Sequence, residues 1–427
     1  MNKRTLIIIL AFTILLATGI IALDYYRSIY VSSDGNSDEN AGKLDDASDV
    51  FLQEEIKTQE ANEMSKDCKA SFCFFGDNLI HENVLNFANL QAGASGKRGD
   101  YDKGFDFKPL YQNVLSLIED SDFSVCNQAS LVGANDAPSS LSGYPLFNSP
   151  TALGLDLVSI GFDAVNIANN HLLDMGDNGL EKSIEFWKTQ NIALIGGYEN
   201  EEKKIDPENK LLEINGIRIS ILSFTGNTNG LYSEKGDRIP YFTLRGTEIR
   251  KAMLEEEVIK CKEISDVVCV MINWENSAGF EVTEFQKRAA QILCDAGADV
   301  IIGSGPKTIQ PIEWLTSDSG NKTICAYSLG NFMGTMQYTE NLVGGAITFD
   351  ILKKNDQVEI KNVLFHPTVI HYNKDFSDIA VFPLEEYTPE QFLIHGSNVL
   401  YGATEYSVLN DIIKKCIPQG FLKSSMR

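Results

Sequence analysis

Asn169, Asn170 and His171 are the most chemically loaded triplet in the chain. They end an apolar run, Gly161 to Ala168, that reads as a strand. An amphipathic helical pattern (Leu180, Ile184, Trp187) follows Gly176 and Gly179. A strand ending in such residues delivers amide and imidazole groups to the carboxyl edge of a sheet, where open α/β sheets place their sites. Histidine carries protons near neutral pH and is a common metal ligand, and asparagine suits tight turns. Five other predicted strand ends are also polar: Gly76-Asp77-Asn78, Asn127-Gln128-Ala129, Asn273-Trp274-Glu275, Gly303 to Lys307, and Leu329-Gly330-Asn331. Polar ends recurring in series point to a single site at one sheet edge. Asp77 and His171 are the candidate catalytic residues. Asn127, Asn169, Asn170, Asn273, Ser304, Lys307 and Asn331 are the candidate ligand-binding residues.

The elements that must position them follow a rhythm of strand, polar turn and helix, with antiparallel strands late in the chain. The fold class expected is α/β. A hairpin is predicted across Asn215-Gly216, because Asn-Gly between β-rich runs favours a tight turn. Four segments are expected: a membrane anchor at 1–23, an acidic flexible stalk at 24–67, a folded domain at 68–372, and a tail at 373–427 with one short helix near 408–417. The anchor rests on Asn2, Lys3 and Arg4 ahead of an uncharged apolar run from Thr5 to Leu23, close to the length that spans a bilayer. Positive residues in front place the N-terminus in the cytoplasm and the remainder outside the cell membrane. The stalk is rich in Ser, Asn, Asp and Glu, a composition that favours solvation over packing.

The chain has 427 residues and a formal charge of −23, which excludes the basic footprint of nucleic-acid binding. Its eight cysteines form no Cys-x-x-Cys pair and mostly fall in apolar patterns, as buried thiols do.

Several ordered motifs make the chain resemble the CapA family of poly-γ-glutamate capsule synthesis proteins, whose fold is similar to calcineurin-like metallophosphatases. They are Phe75-Gly76-Asp77, the run from Gly161 through His171 to Asp174 and Gly179, and Asp295-Ala296-Gly297-Ala298-Asp299 through Gly303. Gln310-Pro311-Ile312-Glu313 and Tyr327 to Phe332 complete the set. The resemblance implies a four-layer α/β/β/α sandwich and a role in making, exporting or attaching a surface polymer. It also implies partners in the membrane, including membrane-embedded synthesis or export proteins, and an anionic polymer or small anion as ligand.

The departures from the family pattern bear on chemistry. Where the family has Asn-Leu-Glu, this chain has Asn127-Gln128-Ala129. Where the family has His-Trp-Gly-x-Glu, it has Asn273-Trp274-Glu275-Asn276-Ser277. Where the family has Gly-His-His-Pro-His, it has Gly303-Ser304-Gly305-Pro306-Lys307. A two-metal phosphoesterase needs two closely spaced cations held by imidazoles and carboxylates. Asp77, Asn170 and His171 are what remain, enough for one weakly held divalent ion at most. Lys307 stands where the family has a metal-binding His, so a fixed ammonium is expected to replace part of the metal charge. Gly303 and Gly305 suggest a backbone nest for an anion. A binding or accessory role is expected, the alternative being an active metal-dependent hydrolase. Ser304 with His171 and Asp77 or Asp174 supplies the types of a serine triad, but no Gly-x-Ser-x-Gly elbow is present.

Overall fold

The computed structural model describes residues 67–93, 101, 104–244, 246–274, 279–355, 357–402 and 405–426. The expected anchor and nearly all of the expected stalk lie outside these residues. Among the described residues no helix is long and apolar enough to cross a membrane.

Residues 66–427 make one compact unit of mixed α/β structure. The first of its two large sheets has eight strands. Cys68–Asn78, Phe123–Gln128, Ala164–Asn166 and Ala193–Ile195 run parallel in that order. On the other side of Cys68–Asn78, the strands Val343–Lys354, Gln357–Tyr372 and Ile379–Pro383 continue the sheet antiparallel. The short strand Asn331–Met333 pairs with the end of Cys68–Asn78. In the second sheet, Ile217–Thr225, Val267–Asn273, Val300–Ser304 and Lys322–Leu329 are parallel, with antiparallel edges at Leu211–Ile214 and Ile309–Thr316.

Alternation along these strands decides which face each residue covers. Phe72, Phe74 and Val125 of the first sheet share one core with Ile219, Ile221, Cys269, Met271, Val300 and Ile302 of the second. The intervening Cys73, Phe75 and Cys126 instead pack with Val84, Leu85, Leu153 and Trp187 of the outer helices. On the second sheet, Val268, Val270, Ile301 and Cys325 meet Leu254, Val258, Ala289 and Leu293 of the helices Lys251–Ile264 and Glu284–Ala296. Two sheets thus lie face to face, each with helices outside. The Asn215-Gly216 turn has both residues left-handed, as its hairpin requires. All eight cysteines are free thiols, seven of them buried.

The segment after residue 372, expected as a tail with one helix, is part of the packed unit. Ile379–Pro383 extends the first sheet, and the helices Pro389–Leu393, Gly396–Tyr401 and Ser407–Cys416 follow. Phe392, Leu409, Ile413 and Leu422 enter the core shared by the sheets. Two buried histidines tie this segment down: His371 meets the Tyr387 hydroxyl at 2.7 Å, and His395 bonds the Ile370 carbonyl at 3.0 Å. Burial lowers both imidazoles to about 4. The unfolded chain then binds more protons than the fold between pH 6.5 and 4, so stability falls as pH drops through that window. We expect a loss of up to about 3 kcal/mol per histidine by pH 4. Urea unfolding at stepped pH checks this: His371→Phe is expected to flatten the decline, and an unchanged slope would show that His371 already titrates normally in the fold.

Candidate functional site

The carboxyl ends of the strands bring most of the anticipated residues together. Asp77 leaves Cys68–Asn78 almost fully buried, at 1% exposure, beside Asn127 on the neighbouring strand and Asn331 on the other side. A buried carboxylate needs donors or a counter-charge, and Asp77 has both. The Lys307 ammonium lies 2.6 Å from Oδ2, and Asn127 donates to Oδ1 at 2.6 Å. The chain of bonds continues from Asn166 to Asn127 at 2.8 Å and from Ser223 to Asn166 at 2.6 Å. Lys307 and Ser223 come from the second sheet and its loops, so this polar line crosses between the sheets and returns.

Lys307 is itself held. Its backbone is left-handed (φ 62°), and its carbonyl accepts from the side chains of Asn331 at 3.2 Å and Asn341 at 2.9 Å. Asn331, a candidate ligand-binding residue, lies on a short parallel strand, where it joins the Lys307 loop to the Asp77 strand.

The glycines of Gly303 to Lys307 have a packing explanation instead of the expected nest. A Cβ on Gly303 would lie 2.1 Å from the Tyr327 carbonyl oxygen and 2.3 Å from the Trp274 ring nitrogen. Trp274 donates to that same carbonyl at 2.7 Å, so glycine makes room for the bond. A Cβ on Gly305, with φ 109°, would come within 2.8 Å of the Trp274 carbonyl oxygen. Ser304 accepts from the Asn273 amide at 3.1 Å, and the geometry joins neither to His171. Glu275 lies outside the described residues.

His171 sits in the turn after Ala164–Asn166, with its backbone N–H bonded to the Asn169 side chain at 2.8 Å. Asn169 in turn donates to the Gln128 carbonyl at 3.0 Å, which ties the turn to the neighbouring strand. The His171 Nδ1 is 2.9 Å from Asp174, whose carboxylate also takes the Phe147 N–H at 2.7 Å. Such a carboxylate fixes the ring and favours Nδ1–H, so Nε2 is the free position for an incoming proton or ligand. Asn170 donates to Asn229 at 3.2 Å, and the Asn229 amide reaches His171 at 3.4 Å.

His81, which lies outside the motifs, also belongs to this site. It occupies the N-cap position of the helix Glu82–Gln91 without a side-chain cap bond, and Phe147 packs edge-on against both His81 and His171. Its Nδ1 accepts the Thr335 N–H at 3.1 Å. Burial, with the nearby Lys307 and His171 charges, lowers it to about 4, so it is a neutral Nε2–H imidazole at physiological pH. The sequence signal was its position four residues after Asp77, in the same strand-end loop. Asn229 and Asn341 carried no motif signal, and Asn166 lies in the Gly161 to His171 run without having been singled out there.

Some of these groups line a cleft of about 870 Å³. His81, Asn170, His171, Lys307 and Asn341 are polar lining residues, while Tyr144, Leu146, Leu231 and Tyr338 are exposed apolar or aromatic ones. Among the described residues no three His, Cys, Asp or Glu side chains converge as a metal ion requires.

Comparisons with known proteins agree with the motifs. The PGA biosynthesis protein CapA of Bacillus subtilis is 30% identical over 202 residues, covering 47% of this chain and 49% of that protein. The capsule biosynthesis protein CapA of Bacillus anthracis is 29% identical over 182 residues, covering 42% of each. The matches thus span about half the length of these relatives. A solved phosphatase of Mycoplasma pneumoniae aligns with 71% of this chain at 11% identity and a TM-score of 0.39. The sequence profile of one family matches residues 71–336, which is most of the packed unit and takes in Asp77, His171 and Lys307, and on that match the chain belongs to the bacterial capsule synthesis protein family PGA_cap.

Proposed function

We propose that this protein is a membrane-anchored, extracytoplasmic member of the family that binds a surface polymer during its synthesis, export or attachment without hydrolysing it. The observation that carries this reading is the Lys307–Asp77 ion pair. In a metallophosphatase-like sandwich, an aspartate at this strand end is a metal ligand. Here its carboxylate is occupied by an ammonium and an amide, so a cation would have to displace a charge-assisted bond. The metal site is in this reading degenerate, and Lys307 is its fixed cation. The 1–23 run serves as a single-pass anchor with a cytoplasmic N-terminus, the acidic segment after it as a stalk, and membrane-embedded polymer machinery as the partner.

The His171–Asp174 pair favours one second reading, a metal-dependent hydrolase of phosphoesters or γ-glutamyl bonds in which His171 moves a proton. Metal analysis of the full chain in detergent separates the two, combined with phosphodiesterase and γ-glutamyl hydrolysis assays in Mn²⁺, Zn²⁺ and Fe²⁺. The binding reading expects substoichiometric metal and no turnover. Stoichiometric metal together with activity that disappears in His171→Ala would establish the hydrolase instead.

A further inference from the structure

We infer that a second pocket, separate from the cleft, binds a small molecule carrying one carboxylate on a short apolar body. The pocket has a volume of about 190 Å³ and shares no lining residue with the cleft among the described residues. Tyr198, just past the strand Ala193–Ile195, forms one wall. Leu222 and Phe224 of Ile217–Thr225 form another, and Arg250 and Met253 at the start of the helix Lys251–Ile264 a third.

Two donors here lack an acceptor. Tyr198 is 7% exposed and lines the pocket. Its hydroxyl has no hydrogen-bond partner among the described residues, yet it is not sealed from solvent. Burial and the nearby Glu257 charge push this hydroxyl well above its ordinary range, so it stays an O–H that needs an acceptor. Arg250 is the second group. A guanidinium offers five N–H donors. One goes to the Tyr241 carbonyl at 3.2 Å, and the nearest carboxylate, Asp237, stands 3.9 Å away, beyond hydrogen-bond reach. Lys204 holds that same carboxylate at 2.9 Å. A planar fork with donors left over matches a carboxylate. Arg250 also stands at the N-terminus of a 14-residue helix that has no side-chain cap and no acid in its first turn. The helix dipole therefore adds to the attraction of an anion at that end.

The other walls set the charge and the size of the occupant. Asp237 and Glu257 each line the pocket, paired with Lys204 and Lys210 at 2.9 and 2.7 Å. A second negative charge on the ligand would face these carboxylates without a free cation to meet it. Leu222, Phe224 and Met253 offer apolar surface to a hydrocarbon body. Pockets for drug-sized ligands run from about 300 to 1,000 Å³. This one holds a few carbon atoms and no polymer segment.

The test is calorimetry of the full chain in non-ionic detergent at fixed ionic strength, with acetate, butyrate, succinate and inorganic phosphate as probes. Saturable binding of one butyrate per chain is expected, tighter than that of acetate because the body is longer. Tyr198→Phe removes only a hydroxyl that bonds nothing in the fold, so the variant stays folded, and it is expected to weaken butyrate roughly fivefold. Arg250→Gln is expected to weaken it roughly tenfold. Butyrate binding that is unchanged in both variants would overturn the proposal. So would silence for both monocarboxylates, or tighter binding of succinate or phosphate. None of these results bears on the cleft, so the polymer-binding reading is tested separately.

Discussion

Lys307→Ala is expected to destabilise the fold by about 3–5 kcal/mol, because it strands a buried carboxylate. Asp77 is 1% exposed and keeps only the Asn127 amide once the ammonium is gone. A buried carboxylate without its counter-charge is what costs the stability. The reverse deletion, Asp77→Ala, is expected to cost less. The Lys307 side chain is 17% exposed and ends a flexible stem that can turn its ammonium toward cleft water. The pair Asp77→Asn with Lys307→Met removes both charges and is expected to restore much of the loss. Urea unfolding of the four proteins completes a double-mutant cycle. Equal, sub-kilocalorie losses for both single variants would mean the ion pair is not the buried contact described here. The prediction also bears on function, since a site whose cation is covalently part of the chain should be indifferent to chelators.

Much of this architecture was readable from the chain because periodicity reports burial directly. Phe72 and Phe74 face the second sheet while Cys73 and Phe75 face helices, and that alternation is visible as an unbroken apolar run covered on both sides. The strand-end residues were readable for a related reason. Polar groups that end apolar strands are awkward unless they are used, and Asp77, Asn127, Asn331 and Lys307 are indeed linked by hydrogen bonds. Local chemistry misled where its cause was distant. Gly303 and Gly305 looked like a ligand loop, yet both are demanded by Trp274 and Tyr327, residues about 30 and 20 positions away in sequence. His81 sits at a helix N-cap position outside the motifs, and only the fold places it on the cleft wall. After residue 372 only the helix Ser407–Cys416 shows in the pattern, because the strand Ile379–Pro383 and the two short helices after it are specified by pairing and packing against Gln357–Tyr372 and the shared core, not by propensity. Asn229 shows the same limit: an unpatterned loop residue whose amide contacts both Asn170 and His171.

The second large effect concerns how that loop is held. Arg238 lies in the connection between Ile217–Thr225 and Lys251–Ile264, the same connection that carries Asn229. Its side chain is fully buried, an arrangement an arginine tolerates only when its charge and donors are matched. It donates to Asp177 in the first turn of the helix Gly176–Lys188 and to Glu181 one turn later at 3.3 Å. Ser233 and the Glu234 N–H add bonds to Asp177 at 2.6 and 2.7 Å. Against the upward push of burial, these partners hold the Asp177 carboxyl below its ordinary range. The helix begins two residues after Asp174, so Arg238 fastens the Asn229 loop to the element that sets His171. Arg238→Ala is expected to cost about 3 kcal/mol, since it empties the place of a buried guanidinium and leaves the part-buried Asp177 without its counter-charge. Arg238→Lys is expected to recover only part, because one ammonium cannot span both carboxylates as the guanidinium fork does. The depressed Asp177 carboxyl contributes stability above its unfolded pKa that disappears as pH falls through the folded value. Losing Arg238 raises that folded value and moves the acid decline upward in pH. Chemical denaturation at stepped pH reads both effects, and hydrogen exchange across 226–246 reads the loop. Protection there that is unchanged in Arg238→Ala, with a stability loss below about 1 kcal/mol, would show that the loop is held by its own turns and that Asn229 reaches His171 unaided.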